Sequence, residues 1–241
     1  MLSAEAFVVT TRGSLTSRPS GLFTESLALL IFDAPSGRLR VLDTDRDRQY
    51  KYQYAEGQAV TGYSVPFLTP AQVVGVRGYA VYLPLDSAVA EIVGMDNRTE
   101  RGRLPIPQRP FDRRVVTAYR DSLLRLNGNA GPSADRIRIV FGSRFPAPRF
   151  APRVGAAQRV ADEVWIEQVP GANDRSVTWY VLNPATAAVV GRVRLPRSWR
   201  VVGGGEDVLY VLHRDEMDVG YVGVHTVVRR LARNGSMTEA G

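Results

Sequence analysis

Val164-Trp165-Ile166-Glu167-Gln168-Val169, then Val177-Thr178-Trp179-Tyr180-Val181-Leu182, then Val189-Val190-Gly191-Arg192-Val193-Arg194-Leu195-Pro196: from Val164 to Leu231 the chain writes one unit most plainly, and earlier segments read as versions of it. Each run has strand length and is rich in Val, Trp and Tyr. Gly, Pro, Asn and Asp separate the runs, with Asn183-Pro184 as a turn, and supply the bends that a tight antiparallel meander needs. The pattern predicts an all-β fold.

Two echoes point to a repeat. Val73-Val74-Gly75-Val76-Arg77-Gly78-Tyr79-Ala80-Val81-Tyr82 resembles Val201-Val202-Gly203-Gly204-Gly205-Glu206-Asp207-Val208-Leu209-Tyr210. Each is an apolar pair, a glycine-bearing hairpin and an apolar strand ending in Tyr. Gly102-Arg103-Leu104-Pro105 likewise echoes Gly191 to Pro196. All-β units recurring at roughly 40 to 50 residues are the signature of propeller blades. Gly203-Gly204-Gly205 joins strand to strand and opens no helix, so it is not a phosphate loop.

Earlier in the chain, Phe7 to Thr10 and Glu25 to Phe32 read as strands, and Asp33-Ala34-Pro35-Ser36-Gly37 as the turn before a returning strand, Arg38 to Leu42. Asp43-Thr44-Asp45-Arg46-Asp47-Arg48 has acids at alternate positions but lacks the central Gly and distal Glu of a calcium loop. It is expected to be a solvated loop. Tyr50, Tyr52 and Tyr54 place three rings on one strand face, the pattern of cross-strand packing, with a carbohydrate platform as the sharper alternative. Leu104-Pro105-Ile106-Pro107-Gln108-Arg109-Pro110 is too proline-rich for a sheet interior. It leads into one inserted helix, capped by Asp112, striped by Val115, Val116, Tyr119, Leu123 and Leu124, and stopped by Asn127-Gly128. The helix is expected to lie on the outer or flat surface of the propeller, with a lid or a partner-docking helix as the sharper alternative. Ile137 to Phe141 is expected to be a strand, Phe145 to Pro152 a second extended linker, and residues 232–241 a frayed tail.

Composition bounds the rest. At 44% hydrophobic and 23% charged, the chain has the proportions of a folded domain rather than a disordered one. No apolar run approaches the roughly 18 residues of a membrane-spanning helix. Met1 to Thr10 carries neither the basic leader nor the apolar core of a secretory signal; a start upstream of Met1 would reopen an extracytoplasmic location. The formal charge of +7 is almost wholly arginine, Lys51 being the single lysine. The arginines are spread along the chain among 24 acids, whereas a nucleic-acid footprint gathers them on one face. Nucleic acid is therefore not the expected partner. The absence of cysteine excludes disulfides, thiolate catalysis and Cys-based zinc sites.

Gly62-Tyr63-Ser64-Val65-Pro66-Phe67, the Leu104 to Phe111 segment with its helix, Val164-Trp165-Ile166, Leu182-Asn183-Pro184 and Arg214-Asp215-Glu216-Met217-Asp218-Val219 together resemble bacterial six-bladed β-propeller proteins of the NHL-like kind. The resemblance covers roughly Ser26 to Leu231. It implies a single propeller domain over residues 1–241 with an insertion at residues 104–128. With that insertion set aside, roughly 195 residues remain, or about four blades at roughly 45 residues each. Four blades of a six-bladed type leave sheet faces open, so the expectation is a partial propeller completed by missing blades or a second chain.

Chemistry is sparse. A Ser-His-acid set has only His213 and His225 to draw on, and nothing resembles a nucleophile elbow. His213, Arg214, Asp215 and Glu216 on the last hairpin are the candidate binding residues; Asp215, Glu216 and Asp218 are more simply a solvated loop than a metal site. The expected role is a non-enzymatic platform for an unidentified protein or small ligand, with no cofactor. The alternative is a metal-dependent lactonase- or lyase-like enzyme built around a central channel, implied by fold analogy alone. Trp165, Trp179 and Trp199 are the expected fillers between blades.

Overall fold

Antiparallel pairing of consecutive strands organises the molecule. The computed structural model describes residues 5–9, 21–33, 37–56, 59–65, 69–84, 87–96, 98–143, 145, 147–171, 173–214, 217 and 219–228. A first meander runs β1 (Glu5–Val9), β2 (Gly21–Asp33), β3 (Arg38–Glu56) and β4 (Ala59–Ser64). A second runs β5 (Gln72–Val76), β6 (Tyr79–Leu83), β7 (Val89–Gly94) and β8 (Thr99–Arg103). After two helices, α1 (Arg114–Asn127) and α2 (Pro132–Val140), a third meander runs β9 (Val154–Val160), β10 (Glu163–Gln168), β11 (Ser176–Asn183) and β12 (Ala188–Pro196). A last run, β13 (Arg200–Gly204), β14 (Val208–Arg214) and β15 (Gly220–Thr226), joins the third through the parallel pair Gly204↔Val160, giving one seven-stranded sheet. The fold is all-β, with two helices among the described residues.

The first strands of successive meanders are neighbours: β5 lies beside both β1 and β9, and β13 beside β9. Consecutive sheets therefore face one another and bury apolar residues between them. This explains why three successive residues of β10, Val164-Trp165-Ile166, are apolar and buried. Val164 and Ile166 point back toward Val81, Ile92 and Leu104, while Trp165 points forward toward Val201, Leu209 and Val211. At the outer edge, β12 alternates between exposed and partly buried positions along most of its length, as a strand with one wet face should. Leu29 and Tyr82 link the first sheet to the second.

Several expectations change. Ile137 to Val140 belongs to helix α2, not to a strand, and Phe141 caps it. Pro132 starts the helix, and Ala134, Ile137 and Val140 are buried on one face at three-residue spacing. Among the described residues there are thus two helices rather than one. The stripe of α1 packs on α2 instead of on a sheet, with Val116, Tyr119, Leu123 and Leu124 meeting Ile137, Val140 and Phe141, while Val115, also expected in the stripe, is exposed. Tyr119 meets Phe141 edge-on at 5.2 Å. Asp43 to Arg48 is not a loop but the middle of β3, paired to β2 through registers such as Leu29↔Asp43 and Ser26↔Asp47, with bulges between. Gly37 takes a φ of 65°, the left-handed conformation its turn requires. The two proline segments run side by side, bridged at Pro110↔Phe150 with Ala151 N–H donating to the Arg109 carbonyl. The tail at 232–241 lies outside the described residues.

The N-cap of α1 is Arg113, which makes no side-chain cap bond, and not Asp112, which stands one residue before it and bonds to the first helical residue. The Asp112 carboxylate accepts from the Arg114 N–H at 2.9 Å and from Arg114 Nε at 3.1 Å. These bonds, the side-chain one first, hold the Asp112 carboxyl below the ordinary aspartate value and raise Arg114. A lowered folded-state value means that the contribution to stability is present above the ordinary aspartate value. It is lost as pH falls through the lowered one. A carboxyl titration followed by NMR should therefore place the Asp112 midpoint below that of an unstructured aspartate, and Arg114→Ala should move it back up. An unmoved midpoint would show that the pair does not form in solution.

Candidate functional site

Of the residues expected from sequence, His213 lies on β14 opposite Tyr221 of β15, and Arg214 is exposed at the end of β14. Asp215, Glu216 and Asp218 lie outside the described residues. His213 and His225 share a sheet face, and both meet Trp199: its ring centroid is 4.4 Å from that of His225 and 6.4 Å from that of His213. Tyr221 stacks on His213 at 5.8 Å. The two histidines are thus brought together as part of an aromatic cluster at the margin of the core between β9–β12 and β13–β15. Among the described residues no group of three His, Cys, Asp or Glu side chains could hold a metal ion.

A different place gathers more chemistry. Arg192 and Arg194 alternate on β12 and project to one face, directly across from Tyr180 and Thr178 of β11. Gln168 extends the same face from the end of β10, and Pro107 and Arg109 of the proline segment stand over it, enclosing a polar hollow of about 440 Å³. The segment is fixed there by Tyr180, whose hydroxyl donates to the Pro105 carbonyl at 3.2 Å and lies 3.4 Å from Gln168 Oε1. The loop that closes the far side carries Asn173, Asp174, Arg175 and Ser176.

Charge in this hollow is one-sided. Arg109, Arg175, Arg192 and Arg194 line it against the one carboxylate of Asp174. Asp174 is already engaged: it accepts from the Gly171 N–H at 2.6 Å and sits 3.5 Å from Arg109 Nη1. Among the described residues, Arg175, Arg192 and Arg194 have no acidic partner within ion-pair distance. Three guanidinium forks beside Thr178, Ser176 and Asn173 form a donor-rich lining suited to carboxylate or phosphate oxygens.

By contrast, the hollow of about 350 Å³ at the β5–β6, β9–β10 and β13–β14 turns is acidic, Asp162, Glu163 and Glu206 lining it against Arg77, which lies 3.5 Å from Asp162. The arginine hollow was not foreseen from sequence. Its cations come from segments more than 80 positions apart, and the one local signal was the Arg-Val-Arg alternation at Arg192 to Arg194. Compared with protein-family models and with curated proteins, the chain matches none.

Proposed function

We propose that this chain is a binding module of β-propeller type that holds a small anionic ligand, bearing carboxylate or phosphate groups, in the arginine hollow. The propeller reading is supported by the successive meanders, by the adjacency of their first strands and by the apolar faces between them. The observation that carries the ligand class is the convergence of Arg175, Arg192 and Arg194, without acidic partners, on one polar hollow. Removing one such fork forfeits charge-assisted bonds of about 1.5–3 kcal/mol, or roughly tenfold or more in affinity.

Calorimetric titration of the full chain with citrate and with pyrophosphate tests this and separates the two ligand sources. At least one should bind saturably, with an affinity that falls as salt rises. Arg194→Ala should weaken it at least tenfold, as a rough expectation. Absence of saturable binding by both anions, or binding indifferent to Arg192→Ala and Arg194→Ala, would overturn the proposal.

A further inference from the structure

We propose that a second copy of this chain covers the two end faces of the row of meanders, the first meander of each copy docking on the last meander of the other. The argument starts from register. In the third meander Val164 stands opposite Leu182, Trp165 opposite Val181 and Glu167 opposite Trp179. In the last, Leu209 stands opposite His225, Tyr210 opposite Val224 and Leu212 opposite Val222. Val164 and Ile166 face back toward the preceding sheet, as Leu209 and Val211 do. Matched on those residues, Tyr210 occupies the position of Trp165, Val224 that of Val181 and Val222 that of Trp179.

Burial at the matched positions differs sharply. Trp165, Val181 and Trp179 are 2%, 5% and 1% exposed because the last meander lies on them, whereas Tyr210, Val224 and Val222 are 43%, 67% and 63% exposed. The last meander presents outward the same apolar positions that the chain buries one step earlier, and a contiguous apolar patch of this kind marks an interaction surface.

The other end is built the same way. Leu29 faces the second meander through Tyr82. On the opposite face Leu30 pairs with Val41 and Phe32 with Leu39; Leu30 is itself only 8% exposed, and the open part of the face is the β3 side, where Leu39 and Val41 are 60% and 57% exposed.

Inside the chain, the forward face of one meander always receives the backward face of the next. Among the described residues, one forward face and one backward face have no meander on them, the first on the last meander and the second on the first. A second copy related by a two-fold axis supplies both together, and the two head-to-tail contacts close on themselves. About eight meanders result, within the range that closed rings of this architecture use. The apolar character of both patches selects a like apolar face over a charged partner. The inference rests on the repeated packing and not on the arginine hollow, so the failure of either leaves the other standing.

Light scattering on the eluting full chain should give twice the 26.5 kDa of one copy. Val224→Asp and Val41→Asp, at exposed positions that folding tolerates, should each give the single-copy mass with an unchanged far-UV dichroism spectrum. An equimolar mixture of the two variants, which retains one intact forward face and one intact backward face, should regain the two-copy mass at high concentration. A single-copy mass for the unaltered chain at every concentration would overturn the proposal. So would a two-copy mass that survives either substitution.

Discussion

Trp165→Ala and Trp179→Ala should each remove about 3–5 kcal/mol from the free energy of unfolding, a large share of what holds a domain of this size together. Both indoles are almost fully enclosed, and they lie on the one face of β10–β11 that receives Val201, Leu209 and Val211. Truncation leaves a hole between the third and last meanders, whose backbones are joined among the described residues at the pair Gly204↔Val160, so relaxation cannot close it cheaply. The two rings differ in their polar ends. Trp165 Nε1 lies 3.4 Å from Glu163 Oε2, whereas Trp179 Nε1 is buried with no protein acceptor among the described residues. Trp179→Phe, which keeps most of the ring and drops that donor, should therefore cost less than half of what Trp179→Ala costs. Urea unfolding followed by far-UV dichroism measures all three. Hydrogen exchange should show β13–β15 loosening before β5–β8, because the lost contacts join only the last two sheets. A loss below about 1 kcal/mol for either alanine variant would mean that the indoles do not fill this interface.

The sequence made the strands legible where two signals agreed, and misled where one stood alone. Val164 to Gln168, Val177 to Leu182 and the hairpins at Gly78 and Gly203 to Gly205 combine strand-forming residues with turn residues, and each folds as expected. The echo between Gly102-Arg103 and Gly191-Arg192 falls on β8 and β12, the fourth strands of two consecutive meanders. Ile137 to Phe141 offered only a short β-branched run, a length at which strand and helix periods cannot be told apart. Pro132 and Ala134, just upstream, held the deciding information. Asp43 to Arg48 had charge but no glycine or proline to break the strand, and the pairing with Leu27 and Leu29 of β2 carries the backbone through it. The candidate site was the least legible part. A hollow assembled from Arg109, Arg175, Arg192 and Arg194 depends on how a proline segment crosses a sheet, and nothing local encodes that crossing.

The second large effect concerns Gly204, where Gly204→Ala should cost about 2–3 kcal/mol. A Cβ there would collide with the carbonyl oxygen of Val208, and would lie 2.9 Å from Val160 Cγ1 and 3.3 Å from Leu209 Cα. Two of these three atoms belong to the backbone and cannot swing aside, so β13 must shift against β14, against β9 or against both. Gly204 is also the residue paired with Val160, and its carbonyl accepts the Ala161 N–H at 3.1 Å. The two flanking glycines separate this steric cost from the general cost of adding a methyl group. Gly205 has nothing within 4 Å of the added carbon, so Gly205→Ala should stay within about 0.5 kcal/mol of the parent chain. At Gly203 the added carbon would meet the Arg159 carbonyl oxygen at 3.7 Å, an ordinary contact, but the φ is 149°, so Gly203→Ala should be penalised through backbone strain instead. Equilibrium unfolding of the three variants, with exchange at the Ala161 amide as a local reporter, distinguishes these causes. Faster exchange at Ala161 in Gly204→Ala, but not in Gly205→Ala, would place the effect at the junction of the third and last meanders. Equal costs at Gly204 and Gly205 would show that the two sheets do not approach there, and that side-chain packing around Trp165 and Trp179 alone holds them together.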